Sequence, residues 1–193
     1  RGRQYERERD FTHSERAYRL AVQRRPDWAV PYVALGALLG ANAPDRIEEA
    51  RALFERAAEL APEWSRPYNS LAIVMRMAGR FEEAEAAARR ALELAPESLA
   101  TTNNYANLMV DLGRYSEAAQ YYERTVALAP EHQKPRYNLA CLYSLQGDVR
   151  AAVEALSRAI DTAEIFRDEA RNDPDFDPIR ADPSFQALVN PRG

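Results

Sequence analysis

Four prolines constrain this chain more than anything else in it. Pro26, Pro62, Pro96 and Pro130 stand 36, 34 and 34 residues apart. The text around three of them nearly repeats: ERAAELAPEW, RRALELAPES and ERTVALAPEH. Proline has no N–H to donate and disfavours helical backbone in the residue before it, so each amphipathic run must end at its proline. A second break falls midway, at Gly79-Arg80-Phe81, Gly113-Arg114-Tyr115 and Gly147-Asp148-Val149. Glycine takes the left-handed backbone that often closes a helix. The spacing therefore predicts helix, tight turn, helix and proline-marked turn, with helices over 12–25, 29–40, 45–60, 66–78, 81–94, 99–112, 115–128, 134–146 and 149–161.

A unit this short cannot bury its apolar face alone, so neighbours must stack and share a core. The composition permits that, with 46% hydrophobic residues and only 7 glycines in 193 residues. A net charge of -4 argues against nucleic acid as a general partner. The single cysteine, Cys141, excludes an intramolecular disulfide and a cysteine zinc cluster, and fits a reducing compartment. No apolar run approaches the roughly 18 residues that span a bilayer, and no signal peptide is visible. The chain opens on Arg1, so a fragment is one reading, and an upstream anchor would lie outside it. A cytoplasmic setting is slightly favoured. A periplasmic or membrane-tethered one follows if an upstream segment exists.

The units resemble tetratricopeptide (TPR) repeats of bacterial type. That consensus wants a bulky residue at position 4, Leu at 7, Gly or Ala at 8, an aromatic at 11, Gly at 15, Ala at 20, an aromatic at 24, Ala at 27 and Pro at 32. One unit supplies Tyr68, Leu71, Ala72, Met75, Gly79, Ala84, Ala88, Ala91 and Pro96. The next supplies Tyr105, Ala106, Gly113, Ala118, Tyr122 and Pro130, with Thr125 where Ala is usual. The last supplies Leu139, Ala140, Tyr143, Gly147, Ala152, Leu156 and Ala159 without a closing proline. An earlier unit has Tyr32, Leu35, Gly36, Ala50, Phe54, Ala57 and Pro62, with two extra residues near GANAPD. Ahead of it Gly2 and Tyr5, then Tyr18, Ala21 and Pro26, match a truncated first unit. The resemblance implies an all-α right-handed solenoid of antiparallel helix pairs over 1–163, with the truncated repeat at 1–26 and full repeats at about 29–62, 65–96, 99–130 and 133–163.

From Thr162 the pattern stops. The segment 164–193 is similar to an element that ends some bacterial arrays, matching at Ala170, Asp173, Pro174, Asp175, Phe176, Asp177, Ile179, Arg180, Asp182, Phe185 and Leu188. It is expected to cap the last helix pair with Phe176, Ile179, Phe185 and Leu188. Asp177-Pro178 and Asp182-Pro183 each read as an N-cap followed by the first helical residue. Asp173, Asp175 and Asp177 alternate as in a calcium loop. Pro178 and Ser184 stand where that loop needs Gly and a bidentate Glu, so no metal is expected.

Catalysis has no foothold in the motifs. His13 and His132 lack a neighbouring nucleophile or carboxylate arrangement, and no phosphate loop, HExxH or CxxC occurs. No catalytic residue and no cofactor are expected. Recognition is the better reading, because the TPR resemblance implies a concave groove lined by the first helix of each unit. The residues expected to hold a partner there are Arg66, Asn69, Ser70, Arg76, Asn103, Asn104, Asn107, Lys134, Tyr137, Asn138 and Cys141. Asparagine is a poor helix former, yet Asn103, Asn104, Asn107 and Asn138 fall inside helices, where each amide offers a donor and an acceptor to a peptide backbone. Only Asn104 and Lys134 match the carboxylate clamp of TPR co-chaperones, with Asn69, Ile73 and Asn138 replacing the rest.

The expected partner is a protein, as an extended peptide or helix. Nucleic acid and direct membrane insertion by this segment are not expected, and homo-oligomers stay open. The rival readings are a structural subunit or assembly factor of a larger complex, and a regulatory domain of a longer enzyme or membrane-anchored protein.

Overall fold

The computed structural model describes residues 2–191, with side chains from residue 10 onward. Among the described residues the elements are helical throughout: α1 (Gly2–Arg24), α2 (Ala29–Asn42), α3 (Ile47–Leu60), α4 (Ser65–Met77), α5 (Phe81–Leu94), α6 (Leu99–Asp111), α7 (Tyr115–Leu128), α8 (Gln133–Leu145), α9 (Val149–Thr162), α10 (Ile165–Asn172) and α11 (Pro183–Val189). Short 3-10 helices cover Pro44–Arg46 and Pro174–Ile179. The chain divides into two compact units, Arg1–Asn104 and Tyr105–Gly193, with the division inside α6.

The glycine breaks act as their chemistry requires. Gly79, Gly113 and Gly147 have φ of 72°, 69° and 74°. After α4, Arg80 N–H donates to Met75 C=O at 2.9 Å and Gly79 N–H to Arg76 C=O at 3.0 Å. These two bonds satisfy carbonyls that the helix end would otherwise leave open. The same pair recurs at Arg114/Met109 with Gly113/Val110, and at Asp148/Tyr143 with Gly147/Ser144. The proline turns also share one bond: Trp28, Trp64, Ser98 and His132 each donate N–H to the carbonyl three residues back. Tyr32 and Tyr68 then tie their turns down, donating O–H to the carbonyls of Pro26 at 3.0 Å and Pro62 at 3.3 Å.

Two boundaries differ from the sequence expectation. The first helix, expected from residue 12, runs unbroken from Gly2 to Arg24, because no Gly or Pro lies between Arg3 and Arg25 to stop it. The match of Gly2 and Tyr5 to a separate first helix rests on side chains outside the described residues. In the second unit of the repeat, which has two extra residues, α2 continues to Asn42 and the three-residue 3-10 helix Pro44–Arg46 stands in place of a glycine turn.

In the first compact unit, consecutive helices α1 to α5 pack on their neighbours. Ala50, Ala57, Ala84 and Ala91 are fully buried, and Leu35, Leu39, Phe54 and Met75 fill the gaps between helices. Gly36 shows how close the approach is: a Cβ there would lie 2.8 Å from the Phe54 ring. Ion pairs also tie α3 and the 3-10 turn before it to the helices on either side. Arg46 meets Glu15 of α1 at 2.7 Å, Arg51 meets Glu83 of α5 at 3.5 Å, and Arg19–Glu49 and Arg80–Glu48 join the same network.

In the second unit, α8 packs between α7 and α9, and the 3-10 segment Pro174–Ile179 lies on α8. Thr125, the residue that departs from the usual Ala, is buried, and its hydroxyl donates to Tyr121 C=O at 2.8 Å. That back-bond satisfies the extra polar group within its own helix. Phe176, Ile179, Phe185 and Val189 are buried in one core with Tyr137, Cys141, Leu156 and Phe166, and Leu188 is partly buried beside it. The caps were half legible. Asp182 accepts from Ser184 N–H at 2.8 Å and starts α11, as its Pro183 suggested. Asp177 does not start a helix. It pairs with Arg180 at 2.7 Å inside the 3-10 segment, which Asp173 caps instead, accepting from Asp175 N–H at 3.0 Å. Asp173-Pro174 has the same cap chemistry and comes first in the chain, so it takes that role.

Candidate functional site

The residues proposed from sequence fall into both compact units, and the structure treats the two groups differently. In the first unit α2 and α4 lie side by side. On α4 the residues Arg66, Ser70, Ile73 and Met77 recur every three or four positions, which places them on one helix face. Arg66 is exposed, and Asn69 and Ser70 are partly exposed. From α6, Asn104 donates its amide N–H to Asn69 Oδ1 at 3.2 Å. Asn103 is also half-buried there. A side-chain amide has two donors and two acceptor lone pairs, so this single bond leaves hydrogen-bonding capacity on both residues. Neither α2 nor α4 contains an Asp or Glu, in a chain with 30 of them.

The same face holds an apolar slot of about 250 Å³. Ala37, Gly40 and Ala41 of α2 form one wall, Ser70, Ile73 and Met77 of α4 the other, and Phe54 and Val74 the floor. The sequence carries the signal as three small residues, Ala37, Gly40 and Ala41, at positions where the next unit has Ile73, Arg76 and Met77. A run of small residues reads equally well as close helix packing, and Gly40 serves that too, since a Cβ on it would lie 2.9 Å from Val74.

In the second unit the corresponding helix face is already occupied. Tyr137 and Cys141 of α8, expected to face a partner, are buried at 2% and 7% exposure. This corrects the expectation for both residues: the chain's own C-terminal segment lies over them. Tyr137 stacks on Phe166 with ring centres 4.9 Å apart and meets Phe176 edge-on at 5.8 Å. Its hydroxyl donates to Asp173 Oδ2 at 2.8 Å. Lys134 is exposed, sits 4.5 Å above the Tyr137 ring and pairs with Glu169 at 3.5 Å. Asn107 Oδ1 accepts from Tyr122 O–H at 2.5 Å and from Asn138 N–H at 3.5 Å. The asparagines of this unit therefore bond within the chain.

Cys141, Asp173 and Asp175 bring one sulfur and two carboxylates within 4.8 Å of one another. The hydrogen bonds account for Asp173, whose two oxygens serve Tyr137 O–H and Asp175 N–H. Burial pushes the Cys141 thiol pKa up, and the Asp173 and Asp175 charges add to it. Burial followed by the Asp173 charge raises Asp175. The thiol therefore stays protonated at neutral pH and is a poor nucleophile. His132 lies exposed in the turn before α8, 3.8 Å from the exposed Glu131. Among the described residues no helix is long and apolar enough to cross a membrane.

Comparison with known proteins agrees with this architecture. A search of curated proteins finds no match. Among solved structures, YrrB, described as a TPR protein with an unusual peptide-binding site, aligns with a TM-score of 0.65 at 18% identity over 90% of this chain and 87% of its own. MamA from Desulfovibrio magneticus aligns with a TM-score of 0.69 at 15% identity, covering 84% of this chain and 91% of its own. PilF of Pseudomonas aeruginosa aligns with a TM-score of 0.68 at 21% identity, covering 86% of this chain and 69% of its own. At these identities the likeness is one of fold. The family model described as tetratricopeptide repeat matches residues 43–97, 68–131 and 97–165, which together span more than half of the sequence. With helical hairpins closed by Gly79, Gly113 and Gly147 and separated by Pro62, Pro96 and Pro130, the chain belongs to the tetratricopeptide-repeat family.

Proposed function

We propose that this protein is an interaction module that holds a segment of another protein against the α2–α4 face of its first compact unit. The observation that carries the reading is the contrast between equivalent helices. The α8 face is sealed by the chain's own aromatic residues, whereas Arg66, Asn69 and Ser70 on α4 keep solvent-facing surface. Helix faces that repeat packing leaves uncovered, and that carry hydrogen-bonding amides, suit an extended polypeptide. The proposed contact residues are Arg66, Asn69, Ser70, Arg76, Asn103 and Asn104. Lys134, Asn107 and Asn138 have intramolecular roles in this reading. Residues 164–193 close the repeat array and complete the core of the second unit.

The test is to change Asn69 and Asn104 to Ala together and measure binding to peptides selected on the intact chain. A loss of affinity with unchanged helicity supports the reading, and unchanged affinity refutes it. YrrB, which shares the fold, is described as having a peptide-binding site, and this is consistent with the proposal.

A second reading, a structural subunit that docks through its first helices, is favoured by a separate observation. Tyr18, Leu20 and Trp28 are 37%, 44% and 43% exposed in and just after α1. Arg substitutions at Tyr18 and Leu20 that abolish assembly, while peptide binding persists, would favour it.

A further inference from the structure

We infer that the slot between α2 and α4 is an anchor site for one bulky apolar side chain of an acidic peptide, whose carboxylates lie toward Arg66. The inference rests on the proposed binding face and specifies the chemistry of what binds there.

Three observations carry it. The first is size. At about 250 Å³ the slot is smaller than the cavities that enclose whole small-molecule ligands, and it suits a single Phe, Leu or Met side chain. The second is the state of its rim. Ala37 and Ala41 are exposed, so helix packing does not require them to be small, and Met77 stands 63% exposed at the edge. A flexible thioether beside an apolar floor adapts to an inserted side chain. The third is charge. Both helices that wall the slot lack carboxylates, while α4 carries Arg66 and Arg76. Arg66 lies seven residues before Ile73 on the same face, about 10 Å of helix rise, which an extended peptide spans in about three residues. A guanidinium at that distance favours Asp or Glu and gives the anchor a direction.

The second unit contains an internal example of the same chemistry. There the face of α8 is covered by Phe166 and Phe176, with Asp173 hydrogen-bonded to Tyr137. Aromatic side chains and a nearby carboxylate are what this chain itself places on such a face.

The experiment pans a phage-displayed library of random linear dodecapeptides on the intact chain and measures the selected peptides, made synthetically, by fluorescence anisotropy. The expected peptides share a Phe, Leu or Met about three residues from an Asp or Glu. Ala37→Leu fills the slot from an exposed position and should weaken them about tenfold or more. Met77→Asp, on the exposed rim, should do the same by placing a charge against the inserted apolar side chain. Arg66→Glu should weaken the acidic peptides and spare versions with Gln in place of the acid. Circular dichroism confirms that each variant keeps its helices. Selected peptides without the apolar-acidic pattern, or with equal affinity for Ala37→Leu and wild type, overturn the inference. If such peptides are still weakened by Asn69→Ala with Asn104→Ala, the binding face stands and only the slot assignment fails. If no peptide is selected, both fail.

Discussion

Tyr137 donates its hydroxyl to Asp173 Oδ2 at 2.8 Å, joining the first helix of the last repeat to the cap of the segment that covers it. Asp173 thereby does two jobs, since its other oxygen caps the 3-10 helix Pro174–Ile179. Tyr137→Phe is expected to cost about 1–2 kcal/mol, because it leaves a partly buried carboxylate oxygen without that donor. Asp173→Ala should cost more, since it removes the cap as well, by about 1 kcal/mol. A double-mutant cycle in urea, followed by circular dichroism, should return a coupling energy of about 1 kcal/mol; additive effects would mean that the bond contributes nothing.

Cys141 should be chemically silent in the folded protein. It is 7% exposed, and burial with two nearby carboxylates keeps its thiol protonated. A thiol reagent at pH 8 should label it only after denaturation or after truncation at residue 172. Rapid labelling of the intact chain would show that the C-terminal segment does not stay closed over α8.

Ser144 carries a cost that a mutation can remove. Its hydroxyl is fully buried and has no hydrogen-bond partner among the described residues. Ser144→Ala removes the stranded polar atom with little change in volume, and should stabilise the protein by about 1 kcal/mol. A fall in the melting temperature would show that the hydroxyl has a partner in solution.

Two glycines should fail for different reasons. Gly36→Ala drives a methyl group to 2.8 Å from the Phe54 ring and should cost about 1–3 kcal/mol through overpacking. Gly79→Ala meets no atom within 4 Å, yet forces alanine to a φ of 72° and should cost about 1 kcal/mol. Phe54→Leu should partly rescue the first and leave the second unchanged. Trp28 and Trp64, the two tryptophans, both lie in the first compact unit, so their fluorescence reports its unfolding.

The ion pairs of α1 and α3 predict an acid sensitivity. The Arg46 hydrogen bond, reinforced by Arg19, holds the Glu15 carboxyl below its ordinary range despite the opposing effect of burial. A depressed carboxylate stabilises the fold above its unfolded pKa of about 4.3, and that stability is lost as pH falls through the lower folded value. The difference in urea midpoint between wild type and Arg46→Met, read by tryptophan fluorescence, should therefore be present at pH 7 and shrink below about pH 4. A difference that grows on acidification would reverse the assignment.

The sequence by itself determined the helical hairpins and most of their boundaries. Pro62, Pro96 and Pro130 and Gly79, Gly113 and Gly147 act through their own backbone chemistry, which needs no distant partner. The buried alanines at 50, 84, 118 and 152 follow from the same period. What only the tertiary structure decided is which helix faces are left uncovered. Tyr137, Cys141 and Asn69 all read as partner-facing from their repeat positions, yet Phe176 and Asp173 lie over the first two. Repeat position states which way a side chain points from its helix. It does not state whether a segment more than thirty residues later in the chain folds back onto that side chain. The size of the slot at Ala37 and Ile73 was likewise decided by the tertiary structure, since a cavity belongs to the space between two helices and not to the pattern of either one.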